Sequence, residues 1–430
     1  MQNRVGRRVA IVAGLRTPFV KAGTVFRSLS ALELGRIVTA ELVQRSNVAP
    51  KEIDQVVFGT VIHHVSVANL AREISIAAGL PKTNEAYTIS RACATSLQSL
   101  TSAADSISQG NVDVALIGGV ESMTDVPITL SRPLAQAMVL ASKSKTVLDK
   151  MGAFSSVNAK DLLPVPPAIA EYSTGQSMGE SAEKMAKENG ISREAQDAFA
   201  HRSHTRAAKA WADGTFAAET MHVLVPPKYE AVVEDNTFRK DSTLEGYARL
   251  KPVFDRKFGS ITAGNSSPLT DGAGALIVMA EEKAKALGLK PLGYLRSYAY
   301  AGVDPGWQLL QAPAFSVPKV LDRAGMTFKD IDLFEVHEAF AAQVLSNLQA
   351  WASQDFANEH RDGAPALGEI PDEKLNVHGG SLSLGHPFAA TGARMIIQAL
   401  HELNRTGKQT ALLSICAAGG LGAAAILERE

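Results

Sequence analysis

The sequence predicts an α/β protein built from a duplicated unit that carries a long insertion. Three observations carry that prediction. Short apolar runs alternate with helical patterns near both ends of the chain. The two ends repeat the same order of events: "IDQVVFG" (53–59) is answered by "IDLFEVH" (331–337), and "VALIGGV" (114–120) by "LLSICAAGG" (412–420). Residues 129–250 between them are richer in charge and proline. The expected organisation is one half from 1–128 plus 251–283, a second half from 284–430, and an inserted loop or cap domain over 129–250.

The elements follow in order. "RVAIVAG" reads as a strand. "SALELGRIVTAELVQRS" has helical spacing, with Ser30 placed to cap it. "IDQVVFGTVI" is a strand, "SLQSLTSAADSISQG" a helix ending at Gly110, and "VDVALIGGVESM" a buried strand running into glycines. Strands that alternate with helices predict a largely parallel sheet. In the insertion, "SREAQDAFAHRSHTRAAKAW" is helical. The last third gives a helix and turn in "SVPKVLDRAGMTFKD", then a strand running into a helix in "IDLFEVHEAFAAQVLSNLQAWA". A turn and helix follow in "NVHGGSLSLGHPFAATGARMIIQALHELNRTG". A strand, glycine turn and strand close the chain in "QTALLSICAAGGLGAAAIL".

Composition narrows the class. Hydrophobic residues make up 46% of the 430, enough to bury a large interior. A net charge of −1 provides no long-range field toward nucleic acid or an acidic membrane. Two cysteines far apart do not make a disulfide framework, and no Cys/His cluster has zinc spacing. The basic start "MQNRVGRRVAIVAGLRTPF" lacks the apolar stretch of a secretory signal. The longest uncharged run, 411–427, is short for a membrane span and is broken by three glycines. A cytosolic protein is expected, or a mitochondrial-matrix one after removal of a transit peptide.

Four residues can carry chemistry. Cys93 opens a helix among alanines, where backbone N–H groups lower a thiol's pKa; the plain alternative is close packing. Cys416 precedes a Gly-rich turn that can present N–H groups to an oxyanion, or can simply be a tight strand turn. His386 sits in a rigid Gly/Pro loop before a helix and is a natural base for a thiol, or a helix cap. His337 ends a strand and can donate to a carbonyl oxygen, or cap the helix that follows. All four fall at strand–helix or strand–turn junctions, which line the ligand crevice in open α/β sheets.

With these motifs in view, the chain resembles the thiolase family. "SRACATS", "HEAFAAQ", "GGSLSLGHPFAATGAR" and "CAAGGLG" occur in that family's order and at about its spacing. "RTPF", "IGGVESM", "EYSTGQSMGESAEKMA" and "TAGNSSPLTDGAGALI" extend the likeness from about residue 8 to the end. It is most similar to the 3-ketoacyl-CoA thiolases of the trifunctional-protein β-subunit type. The resemblance implies a thiolase-like duplicated α/β/α/β/α layered fold with an inserted loop domain. It implies Cys93 as acyl-carrying nucleophile, His386 as its base and an oxyanion-hole member, and Cys416 as acid/base. His337 would take the place of the usual asparagine in the first oxyanion hole. The backbone N–H groups of Cys93 and Ala418 would form the second. Histidine at 337 and alanine for glycine at 418 depart from the common pattern.

The same resemblance implies coenzyme A as cosubstrate, with no metal or redox cofactor. Ser267 and Met178 would line the pantetheine channel, and Arg239 or Lys240 would face the nucleotide; solvated surface charge is the alternative for those two. It further implies a homodimer or tetramer, or a heterotetramer with a hydratase/dehydrogenase α-subunit. Residues 131–170 carry Arg132, Lys143, Lys145, Lys150 and Lys160 against Asp149 and Asp161. That stretch is either a docking surface for a partner or membrane, or a solvated helix over the site.

Overall fold

The computed structural model describes residues 6–168 and 170–430. Nine strands form one continuous path: β1 (Val9–Arg16), β2 (Gln55–Gly59), β3 (Glu85–Ile89), β4 (Val114–Glu121), β5 (Thr270–Ala280), β6 (Gly293–Gly302), β7 (Leu333–Val336), β8 (Thr410–Ala417) and β9 (Leu421–Glu428). Their order is β7-β8-β9-β6-β1-β5-β4-β2-β3, and the short strand Val20–Lys21 adds to β5. Nine of the helices are α1 (Ala31–Arg45), α2 (Thr95–Ser108), α3 (Arg132–Lys143), α4 (Val147–Gly152), α5 (Met178–Glu188), α6 (Arg193–Ala212), α7 (Pro313–Ala324), α8 (Ala341–Ala352) and α9 (Thr391–Thr406).

The sheet order displays the duplication. In each half a parallel pair, β2–β4 or β7–β8, is followed by antiparallel neighbours. These are β5 and β1 in the first half, β9 and β6 in the second. The halves meet where β1 pairs with β6 through only Ala10–Tyr294 and Ile11–Gly293. The largely parallel sheet expected from the sequence is therefore corrected to a mixed one. The difference lies in β5 and β6, which the apolar pattern did not mark as strands. β5 is buried along its whole length, so it lacks the alternation that marks a half-exposed strand.

Two helices lie at the centre. Leu97, Leu100 and Ile107 of α2 share one core with Met395, Ile396, Leu400 and Leu403 of α9. The same core takes Ile117, Leu276 and Val278 from the first half-sheet and Leu413, Ile415 and Ala425 from the second. The opposite face of the second half-sheet, with Leu412, Ala424 and Ile426, packs on Val317, Val320 and Leu321 of α7 and on Val344 of α8. Strand alternation thus feeds two layers from one strand, since neighbouring side chains point to opposite faces. α1 begins with a capping box: Ser30 Oγ accepts from the Glu33 N–H, and Glu33 returns a bond to the Ser30 N–H. α2 gives way to Gly110 in the left-handed conformation, as its sequence led us to expect.

The chain divides into two compact units. The larger holds Met1–Val61, Asn69–Asp125 and Ala170–Glu430; the smaller holds Ile62–Ala68 and Val126–Ile169. The separate unit is thus shorter than the 129–250 insertion expected from composition. Residues 170–250 belong to the main unit because α5 and α6 bury apolar faces there: Met185 beside Phe340, and Phe199 beside Leu382. Within the smaller unit, Thr129 and Val165 exchange backbone hydrogen bonds, and Ser131 caps α3. Ala137 is the one fully buried residue of α3, while Met138, Val139, Leu140, Val147, Leu148 and Met151 are exposed.

One close approach fixes the frame near the site. At Gly119 of β4, an added Cβ would lie 2.0 Å from the Ala389 carbonyl oxygen in the turn after His386. Neither backbone can move aside cheaply, so Gly119→Ala should destabilise the fold by about 1–3 kcal/mol and reduce activity. A urea midpoint unchanged from the parent would contradict this close contact.

Candidate active site

Cys93 lies in the turn between β3 and α2. The turn is tight: Ala92 is held at φ +45°, a left-handed conformation that costs a non-glycine residue energy. Thr95 stabilises it, since its hydroxyl donates to the Ala92 carbonyl at 2.6 Å and accepts the Arg91 N–H at 2.8 Å. Cys93 remains partly accessible while Ala94 and Thr95 behind it are buried.

His386 arrives from the second half. Gly385, at φ +96°, turns the chain so that the His386 N–H donates to the Pro268 carbonyl at 3.2 Å. Its Nε2 is 3.0 Å from Cys93 Sγ, and its Nδ1 is 2.7 Å from Thr391 Oγ1. Glu121 of β4 accepts the N–H groups of Val61 and Ala389 at 3.0 and 3.3 Å, tying the loop beyond His386 to the first half-sheet.

The charges of this pair differ from the sequence expectation. Two backbone N–H groups, those of Ala418 and Cys93 itself, point at the sulfur and favour a thiolate. Burial outweighs them, and the nearby Glu121 and Glu171 carboxylates add to it, so the thiol is pushed up to about 12. Burial, with Arg394 beyond, also pushes His386 down to about 3. The lowered thiol expected at a helix N-terminus is therefore corrected to a resting thiol facing a neutral imidazole. An S–H that donates to Nε2 would place the imidazole proton on Nδ1, facing Thr391.

His337 follows β7, and its N–H extends the ladder to the Ser414 carbonyl at 2.8 Å. The ring is fully buried, its centroid 4.3 Å from that of His386. Nδ1 lies 2.9 Å from Ser381 Oγ, while Nε2 has no partner among the described residues. A buried polar atom left unpaired costs about 1–3 kcal/mol, a cost found where function needs it. Burial and the neighbouring His386 hold the His337 imidazolium well below its usual range. Cys416 is the penultimate residue of β8, opposite Gly422. Burial and the nearby Cys93 push its thiol well above the usual value.

The turn after Cys416 explains why alanine serves at 418. The left-handed residues are Gly419 (φ +83°) and Gly420 (φ +72°), and Ala418 is not among them. A Cβ at Gly420 would meet the Val303 carbonyl at 2.5 Å, so glycine is required there for space as well. The Gly419 N–H donates to Glu171 Oε1 at 2.8 Å, an anchor that the sequence reading did not single out. Glu171 does open the quoted stretch "EYSTGQSMGESAEKMA".

The structure brings Cys93, His337 and His386 together: one donor atom from each lies within 4.8 Å of the others. A soft metal ion could bind such a set. It would occupy the His386 Nε2 lone pair that faces the Cys93 sulfur. Met178 packs on the cluster that contains Cys416, Ala339 and Phe340. The Ser267 N–H donates to the Ala339 carbonyl at 2.9 Å, two residues from His337. Arg239 and Lys240 stand exposed and share no hydrogen bond or ion pair with the four. The Arg239 N–H donates to His204 Nδ1, and Lys240 pairs with Glu234. Ser381, Thr391 and Arg394 lie inside the 379–394 motif, yet nothing in their local pattern marks them as site residues.

Comparison with known proteins agrees with this frame. The family model "Thiolase, N-terminal domain" matches residues 9–282, and "Thiolase, C-terminal domain" matches 289–429. The chain belongs to the thiolase family. A 3-ketoacyl-CoA thiolase of Pseudoalteromonas translucida is 52% identical over 423 residues, covering 98% of this chain and 97% of the relative. One of Salmonella paratyphi C is 52% identical over 427 residues, covering 99% and 98%. Among solved structures, a Bacillus anthracis acetyl-CoA acetyltransferase superposes with a TM-score of 0.85 at 34% identity, covering both chains completely. Human mitochondrial 3-ketoacyl-CoA thiolase in complex with CoA superposes with a TM-score of 0.83 at 31% identity, covering 99% and 98%.

A neutral resting pair has a spectroscopic consequence. The Cys93 group titrates from thiol to thiolate as pH rises, and its folded value of about 12 lies far above neutrality. The ultraviolet thiolate absorbance lost in Cys93→Ser should therefore be absent from pH 5 to 9. A thiolate step within that range would reveal an ion pair instead.

Proposed function

We propose that the chain is a degradative 3-ketoacyl-CoA thiolase. It cleaves 3-ketoacyl-CoA with CoA to acetyl-CoA and a shortened acyl-CoA in fatty-acid β-oxidation. The observation that carries this reading is the Cys93–His386 contact, with two backbone N–H groups aimed at the sulfur and an unpaired His337 nitrogen beside it. The 3-ketoacyl-CoA thiolases that share 52% of its sequence support it.

The geometry suits the chemistry. As Cys93 Sγ attacks the ketone carbon, its proton passes to His386 Nε2. The alkoxide forms on a carbon now bonded to the sulfur, which is where the Cys93 and Ala418 N–H groups point. The bond between that carbon and the α-carbon then breaks, and the electron pair leaves as the acetyl-CoA enolate. Its oxygen is held on the side of His337 and His386, and Cys416 protonates its carbon. Cys416 next removes the proton of the incoming CoA thiol. That sulfur attacks the Cys93 thioester, the Cys93 sulfur leaves and takes back its proton from His386, and the shortened acyl-CoA departs. Cys416 is suited to act in both directions because its raised pKa makes the thiol the resting form.

CoA is the cosubstrate, in a channel bordered by Met178 and Ser267. Arg239 or Lys240 is assigned to the nucleotide end, where an exposed cation would meet phosphate. The active form is a homodimer or tetramer, or a heterotetramer with a hydratase/dehydrogenase α-subunit. The exposed apolar and basic residues of α3 and α4 are candidates for that contact or for a membrane. Among the described residues, no helix is long and apolar enough to cross a membrane. The bacterial relatives favour the cytoplasm as its compartment.

Two measurements test the reading. Cys93→Ser should abolish the acyl-enzyme seen by intact mass and lower thiolysis at least about 10³-fold, as loss of a nucleophile does. Undiminished turnover would sink the mechanism. Thiolysis profiled from C4 to C16 ketoacyl-CoA, with and without a candidate α-subunit, should peak at medium to long chains. Activity confined to C4 would instead favour an acetoacetyl-CoA thiolase working toward condensation.

A further inference from the structure

The His337 ring rests on a chain of buried polar side chains. Ser381 Oγ lies 2.9 Å from His337 Nδ1 and accepts an N–H from Arg394 Nη2 at 3.3 Å. Arg394 is held in turn by Glu335 Oε2 at 3.2 Å and Gln398 Oε1 at 3.1 Å. All five side chains are buried.

The protons on this chain can be assigned by elimination. A guanidinium only donates, so the Ser381 oxygen is the acceptor from Arg394. Ser381 Oγ could also accept from an Nδ1–H, but its own proton would then lack an acceptor in this buried chain, so the hydroxyl donates to His337 Nδ1. A nitrogen that receives a proton does not carry one. A neutral His337 ring therefore holds its proton on Nε2, the nitrogen with no partner among the described residues. Burial beside His386 and Arg394 keeps the ring neutral.

We propose that Ser381 and Arg394 are positioning residues that lock His337 as the Nε2–H tautomer, so that it presents a donor to the enolate oxygen of the departing acetyl-CoA. The opposite tautomer would aim a lone pair at that oxygen and repel it. The buried Arg394 cation adds to the effect by polarising the Ser381 hydroxyl toward Nδ1. The identity of the oxygen rests on the thiolase reading above, whereas the tautomer can be measured without it.

The test is long-range proton–nitrogen correlation spectroscopy on the full chain labelled with ¹⁵N-histidine, with His337→Gln assigning the signals. In the resting parent, His337 Nδ1 should show the shift of an unprotonated nitrogen and Nε2 that of a protonated one. In Ser381→Ala the two shifts should move toward each other. Its kcat should fall about 10- to 100-fold with KM little changed, short of the 10²–10³ typical for loss of a whole oxyanion donor. Ser381→Thr, which keeps the hydroxyl, should retain both the signature and the rate. A parent proton on Nδ1 would overturn the proposal, as would a Ser381→Ala protein with unaltered tautomer and kcat. A parent with the expected tautomer but no thiolysis would uphold the lock and remove the enolate from it.

Discussion

Everything at this site depends on a sulfur and an imidazole nitrogen held 3.0 Å apart by residues that are 293 positions distant in sequence. Helix packing fixes the distance. The N-termini of α2 and α9 are tied together, for the Ala393 N–H donates to Ser96 Oγ at 2.7 Å. Gly392 permits that approach, because a Cβ there would stand 2.9 Å from the Leu97 nitrogen. Cys93 and His386 sit just before these two termini, one on each. The duplicated frame therefore does more than stiffen the chain: it sets two helix starts side by side and hangs the reactive groups from them.

The same arrangement explains why the resting Cys93–His386 pair is neutral. Two helix N-termini and two backbone N–H groups favour a thiolate. Burial of the sulfur and the Glu121 and Glu171 carboxylates oppose it, and burial dominates. A bare thiolate among these buried neighbours would be costly and prone to oxidation. A thiol hydrogen-bonded to a neutral imidazole avoids both; in the proposed mechanism it ionises only as attack on a carbonyl delivers the charge to waiting donors. Glu121 and Glu171 also have structural work. Glu121 binds the loop after His386, and Glu171 binds the turn after Cys416. One pair of carboxylates thus tunes the thiol and positions the groups around it.

Much of the fold was legible in the sequence. Ser30 as a cap, Gly110 as a helix end, and the matched pairs "IDQVVFG"/"IDLFEVH" and "VALIGGV"/"LLSICAAGG" all follow from local chemistry, and the structure contains each. β5 and β6 escaped notice, and the direction of the sheet with them. Strand direction depends on pairing partners far away in sequence, and β5 is too uniformly buried to alternate. The extent of the smaller unit was also hidden, since composition does not report which face a helix such as α6 buries.

The sequence by itself determined which residues stand at the chemical junctions, because glycine, proline and small residues around Cys93, His386, His337 and Cys416 constrain the backbone there wherever the chain goes. It also determined the family, through motifs that span the chain in register. Only the tertiary structure decided the state of those residues. The raised thiol, the neutral imidazoles, the unpaired His337 nitrogen and the Arg394–Ser381 support all arise from burial and from neighbours supplied by other elements. Protonation is set by surroundings in three dimensions, and a sequence lists residues without their surroundings.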